Sequence, residues 1–296
     1  MKRATTIEEQ IEILQKRNVI FKDKDKAREI LLDIGFYRIG FYSYPFEKTF
    51  PQLENRNHEL KSGTTFKSIV DLYYFDYDLR RILVDAINRI EVNIRTYITY
   101  TVSNKYRNLP IWFVNKDIMK YQYINSFEDK VYKIIKDNPI IKRHHSKYKH
   151  DKFAPAWKTL EFMTFGGICT LFLNIKDLEL RKQIAEHYHC GIGVFINYIE
   201  TIRIIRNTCA HGGCVYNIST PKGIKSGPAG NLTDDDRHNI KGIILVICYI
   251  LGQISHHRLN DFKSNIALLL NDKNRENDTK KIISKCTNLF EKDFVI

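Results

Sequence analysis

Arg206 and His211 stand five positions apart near the end of an apolar run, in a chain whose formal net charge is +13. Cleavage of a phosphodiester by a neighbouring 2′-hydroxyl needs a cation to hold the charge that develops on the phosphorane. It also needs a group that moves a proton near neutral pH, and arginine and histidine suit these two tasks. The spacing alone is weak, because arginine and histidine separated by four to six residues occur three times, as Arg143 with His150, Arg181 with His187 and Arg206 with His211. Context sets the third pair apart. Phe195, Ile199, Ile202 and Ile205 form an apolar stripe at helical spacing, and Gly212-Gly213 follow as a helix stop.

A helix turns about 100° per residue, so Asn207 lies under His211 and Arg203 under Asn207, while Arg206 points roughly 140° away from the histidine. Two arrangements would unite the pair. The glycines could unwind the last turn, or a second copy of the helix could complete the site across a two-fold axis, which is the favoured reading. The competing structural reading pairs Arg206 with a core carboxylate and sets His211 against the carbonyl end of its own helix.

The elements that must position these residues read as helical. The chain has 296 residues, 43% of them hydrophobic, which is ample for a sizeable core. Strand signals are scarce, so the expected class is all-α. The opening residues suggest an amphipathic helix, with Thr6 as cap and Ile7, Ile11 and Leu14 on one face. From Phe66 to about Asn104 apolar residues recur at helical spacing, predicting one long rod or two joined pieces. Arg80, Arg81, Arg89, Glu91 and Arg95 on its other faces read as solvated or as helix–helix ion pairs, with Glu91 and Arg95 one turn apart and expected to pair. Residues 34–66 are irregular; aromatics there interleave with Arg38, and base stacking and core packing both remain open. Residues 218–236, rich in Gly, Pro, Ser and Thr, read as a flexible loop close enough to His211 to serve as a lid. A carboxy-terminal helical pair is expected from about Arg237 to Gln253 and from about Asn274 to Phe290. Its apolar run Ile243 to Leu251 is too short for the ~20 residues of a membrane span and predicts a buried helix.

The basic balance favours an anionic partner, with nucleic acid ahead of a membrane surface. The strongest local cationic stretch is Ile141 to Lys152, where Lys142, Arg143, His144, His145, Lys147, Lys149 and Lys152 accompany Tyr148. These residues, with Arg203, Lys222 and Lys225, are the candidate RNA contacts; a solvated surface is the alternative. Six scattered cysteines without a CxxC pair read as reduced thiols. The gaps among His187, His189, Cys190, Cys209, His211 and Cys214 match no standard zinc module, so neither metal nor cofactor is expected. No secretory signal is visible, which leads to a cytoplasmic expectation.

Several separated motifs occur together in order. They are Ile34-Gly35-Phe36-Tyr37-Arg38 with Tyr44-Pro45-Phe46, Gly63-Thr64-Thr65-Phe66, Leu72-Tyr73, Phe75-Asp76 with Leu79-Arg80, and Arg89-Ile90-Glu91 with Arg95. Pro155-Ala156-Trp157, Glu161, Phe165-Gly166, Arg206 to His211 and Asn217 complete the set. In these the chain resembles the Abi-like abortive-infection proteins of bacteria (the AbiD and AbiF type), whose core falls in the HEPN superfamily of helical ribonucleases. The resemblance implies an all-helical HEPN-like core over residues 66–217, with residues 1–65 packed on it and 237–296 as further helices of the same domain. It implies a metal-independent endoribonuclease toxin acting in phage defence. The expected assembly is a homodimer, restrained by a non-coding RNA antitoxin. A HEPN-like module that binds RNA without cutting it is the alternative.

Carried over by motif, Arg206 would stabilise the phosphorane, His211 would act as general base or acid, and Asn207 would orient the histidine or the substrate. Many relatives carry a second histidine and a later arginine after this point, where the present chain has Gly212 and Cys214. Glu161 is a candidate brace for the motif helix. Gly213 occupies the position where toxins silenced by a nucleotidyltransferase carry a tyrosine, which argues against that mode of control.

Overall fold

A computed structural model describes residues 3–294. Apolar residues spaced three and four apart carry the chain through α1 (Ile7–Lys16), α2 (Lys24–Ile34), α3 (Phe36–Ser43) and α4 (Phe66–Lys105). The small helices α5 (Tyr121–Phe127), α6 (Lys133–Ile135), α7 (Pro139–Lys147) and α8 (Ala156–Thr159) follow. Then come α9 (Phe165–Asn174), α10 (Leu178–Glu186), α11 (Ile192–Ala210), α12 (Ile240–Ile254), α13 (His256–Leu270) and α14 (Asn277–Thr287). Among the described residues the only β-pairing is in isolated bridges, so the class is all-α as the periodicity predicts.

The fold is organised around α4, an unbroken rod of 40 residues, and at 1.5 Å per residue it runs roughly 60 Å. Ile69, Leu72, Leu79, Leu83, Ile90, Ile94 and Ile98 are fully buried along it. Helices α3, α9, α10, α11, α12, α13 and α14 all lean on it. Thr65 caps its first turn by accepting from the Ser68 backbone N–H. Glu276, at the start of α14, accepts from the Ser68 hydroxyl at 2.5 Å and from Lys22 Nζ at 3.0 Å, clasping the two ends of the chain to this cap.

Thr6 and Glu9 form the capping box expected of α1, and Ile11 and Leu14 are buried. The run from Ile243 to Leu251 lies within α12, its Ile243, Ile244, Val246, Ile247 and Ile250 fully buried. The expected carboxy-terminal pair is in fact three helices. Helix α13 buries Phe262, Ile266 and Leu269 at helical spacing, and Ser255 caps its start immediately after α12 ends, so no loop separates the two; Gly252 lies inside the last turn of α12. Among the described residues no helix is long and apolar enough to cross a membrane.

Candidate functional site

Helix α11 buries Phe195, Ile199, Ile202, Ile205 and Cys209, the stripe that the spacing predicts. It ends at Ala210, with His211 as the capping residue. The backbone N–H of His211 donates to the Asn207 carbonyl at 3.0 Å, that of Gly212 to Cys209 at 3.1 Å and that of Gly213 to Thr208 at 2.8 Å. With Gly212 at φ +66, this is a Schellman turn, and a left-handed residue is what makes glycine fit there. Gly213 is confined for a second reason: a Cβ on it would meet the Thr208 side chain at 2.8 Å and the Thr208 carbonyl oxygen at 3.2 Å. Backbone groups of the glycines thus close the helix, and the exposed His211 imidazole is not needed as its cap.

Beneath this turn lies a buried polar clamp. Asp76 of α4 is fully buried and ion-paired to Arg80, one turn along. Its Oδ2 also accepts from the Tyr42 hydroxyl at 2.8 Å, and its Oδ1 accepts from the backbone N–H of Val215 at 2.8 Å and of Tyr216 at 2.7 Å. Arg80 donates onward to the Gly213 carbonyl at 3.2 Å, and Arg38 of α3 donates to the Gly212 carbonyl at 2.8 Å. Burial raises the pKa of Asp76, against the pull of Arg80, the Tyr42 hydroxyl and the two backbone N–H groups. Two helices distant in sequence therefore fix the backbone that carries His211.

Arg206 meets a core carboxylate, as the structural reading anticipates. Its Nε donates to Glu91 Oε1 of α4 at 3.0 Å, with the Arg206 side chain 38% exposed and that of Glu91 10%. Glu91 thus pairs across to α11 and not with Arg95. Arg95 instead donates to the Met163 carbonyl at 3.2 Å and lies 3.9 Å from Glu161. The brace on the motif helix is accordingly Glu91, while Glu161 points at Arg95. Asn207 is half-buried beside His211, and Arg203 is engaged by Glu200 at 2.7 Å. Arg206 leans onto α4 while His211 projects at the helix end, the divergence that 100° per residue implies.

The remaining cationic candidates lie elsewhere. The stretch from Ile141 to Lys147 forms the second part of α7, with Arg143 and Lys147 exposed. Lys142 pairs with Asp137 at 3.0 Å and Lys152 with Glu128 at 2.6 Å, and Lys149 is exposed. His145 is hydrogen-bonded to the Tyr132 hydroxyl at 2.6 Å. His144 is buried against Asp151 at 3.1 Å, and burial followed by the nearby Lys158 lowers its pKa, so it adds no cation to this surface at neutral pH. Lys222 and Lys225 belong to a segment bound to the first half of α11. Asn197 donates to the Gly223 carbonyl at 3.1 Å and accepts from the Lys225 N–H at 2.7 Å. Asn197 lies fourteen positions before His211, roughly 21 Å along the helix, so this segment does not lie over the histidine as a lid would.

The six thiols are free, and burial pushes that of Cys209 up to about 12. His187 stacks on Tyr97 with ring centroids 3.6 Å apart. Among the described residues no three His, Cys, Asp or Glu side chains gather as a metal site.

The residues that spacing undervalued are Asp76, Arg80 and Glu91. A signal existed: Asp76 sits four positions after Leu72 and three before Leu79, on the apolar stripe itself, where a carboxylate needs a partner.

No curated protein and no solved structure matches the chain. A family model described as Abi-like protein matches residues 29–217, well over half of the chain, and that span holds the clamp, Glu91, Arg206 and His211. The chain belongs to the Abi-like protein family, which points to abortive infection, a defence against phage, as its setting.

Proposed function

We propose that this protein is a metal-independent endoribonuclease of the HEPN type that acts in abortive infection. The observation that carries this reading is the contrast at the end of α11. An exposed imidazole without a role in closing its helix is carried on a backbone held by Arg38, Arg80 and Asp76. Such support is what a proton-transfer group needs to be held in place. His211 serves as general base or acid for attack by a 2′-hydroxyl on the adjacent phosphorus, with loss of the 5′-oxygen. Arg206, fixed through Nε by Glu91, turns its other nitrogens toward the phosphorane oxygens, and Asn207 orients the imidazole or the RNA. Because the two side chains diverge within one chain, the working cleft is formed by two copies related by a two-fold axis. A structured non-coding RNA restrains the toxin until infection.

The pairing of Arg206 with Glu91 favours a second reading, a module that binds RNA without cutting it, because the carboxylate offsets part of the charge a phosphorane requires. One substitution separates the two. Wild type and His211→Ala are induced in bacteria at matched protein levels, and new 5′ ends in total RNA are mapped. Growth arrest and new ends are expected with wild type, falling by roughly 10²- to 10⁴-fold in the variant. Unfolding free energy should change by no more than about 0.5 kcal/mol, as for other exposed side chains. Equal effects of the two proteins on growth and on 5′ ends would leave the binding module standing.

A further inference from the structure

Trp157 is 58% exposed and forms part of two neighbouring surface depressions. The first, of about 350 Å³, lies against the carboxy-terminal third of α4, and Tyr100, itself 65% exposed, lines it with Trp157. On its wall is the Arg95 guanidinium, whose side chain is 12% exposed and whose buried Nε has no hydrogen-bond partner. Asn104 and Ser103 add polar edges. The second depression, of about 480 Å³, is lined by Tyr148, His150 and Lys158 together with Trp157. Glu161, 3.9 Å from Arg95, lines the first depression and Asp151 the second, so both are of mixed charge; the two exposed aromatic rings beside Arg95 match the stacking needs of an unpaired nucleobase, and the net charge of +13 attracts its phosphates.

We infer that Trp157 and Tyr100 form a stacking site for an unpaired base of the RNA, with Arg95 facing its polar edge and the strand continuing over Lys158 and His150. The inference rests on RNA being the partner, and it adds a register. Tyr100 lies nine positions along α4 from Glu91, which holds Arg206, so the two are separated by roughly 14 Å of helix rise. Nine positions also carry Tyr100 about 180° round the rod from Glu91, and a stacked strand advances about 3.4 Å per nucleotide, so the gripped base lies at least about four nucleotides from the phosphate that Arg206 would hold, with the strand passing round α4. An unpaired base held at this site would then set where a strand is cut. Stacking tolerates any base, so the preference would be for unpaired segments over duplex.

The test uses full-length protein carrying His211→Ala, so that RNA survives, and a short unpaired oligoadenylate as probe. The chain has two tryptophans, and Trp112 is fully buried with its indole N–H donated to Ser103 at 2.9 Å, so Trp157→Phe supplies the Trp112-only baseline. Saturable quenching of the Trp157 emission is expected. Trp157→Ala and Tyr100→Ala should each weaken binding by roughly ten- to a hundredfold, with Trp157→Phe keeping most of the affinity. The slope of log affinity against log salt should stay unchanged in all three, because every phosphate keeps its cation. Absence of binding, equal affinity in Trp157→Ala and Tyr100→Ala, or equal affinity for a duplex would each overturn the inference. If wild type cuts no RNA while Trp157-dependent binding stands, the nuclease reading fails and this one survives. If RNA is cut with affinity indifferent to both rings, this inference fails alone.

Discussion

The two cation-rich regions of this protein are built on opposite terms. At the end of α11, cations meet buried carboxylates: Arg80 lies on Asp76, and Arg206 on Glu91, both anions supplied by α4. Along α7 and the turn after it, Lys142 and Lys152 meet partners on exposed ground, and Arg143, Lys147 and Lys149 face water. Burial makes the first set geometrically exacting, since a desolvated charge must keep its partner, while the second set acts through net potential that salt screens. On the proposed function, the first region would hold a reacting phosphate in a fixed place and the second would attract the polyanion. That difference is measurable as stability in the first and as salt dependence in the second.

The largest effect on stability is expected from Asp76→Ala. It leaves Arg80 buried without its anion and the Val215 and Tyr216 N–H groups without an acceptor. A loss of about 3–5 kcal/mol of unfolding free energy is expected, measured by chemical denaturation. Asp76→Leu combined with Arg80→Met removes both charges and should recover part of that loss. The unrecovered part reports the lost hydrogen bonds of the Val215 and Tyr216 N–H groups, the Tyr42 hydroxyl and the Gly213 carbonyl together. A loss under about 1 kcal/mol for Asp76→Ala, the range of an exposed pair, would mean that the clamp is no more than a surface pairing.

Why the two regions differ in legibility follows from the same physics. Periodicity places α4 and the buried stripe of α11, because burying one helical face demands repeats of three and four. It also places the glycine stop, since φ +66 at Gly212 is a local demand. Pairings across helices leave no such trace. Glu91 and Arg95 are neighbours on one helix and read as partners, yet packing sets Glu91 against Arg206, more than a hundred positions away. The segment after Ile218 reads as a lid because it follows His211 in the chain. In space Asn197 draws it back along α11. The buried state of His144 is hidden in a run that composition alone marks as cationic.

A third anchor lies beyond the family span. Glu276 is partly buried, and its pKa is lowered to about 2; burial opposes this, but the hydroxyls of Ser68 and Thr65 and the ammonium of Lys22 outweigh it. The folded pKa lies below the unfolded value of 4.5, so its contribution is fully present above pH 4.5 and is lost as pH falls toward 2. That span corresponds to at most about 3 kcal/mol. Glu276→Gln should therefore lower stability at neutral pH and flatten its decline over this acid window, as followed by denaturation at a series of pH values. An acid limb identical to that of wild type would place the titration elsewhere.

The smallest effect on stability should come from the exposed cations of α7. Arg143→Ala with Lys147→Ala removes two exposed charges and leaves the core untouched, so the unfolding free energy should move by no more than about 0.5 kcal/mol. If these side chains meet phosphates, RNA affinity should drop and the slope of log affinity against log salt should become shallower by up to about 2, near one for each phosphate that is no longer neutralised. The same pair in the His211→Ala background separates attraction from chemistry, because binding is then read without cleavage. A slope indifferent to both residues would make α7 a solvated face, and the polyanion would have to be drawn by cations on another surface of this basic chain.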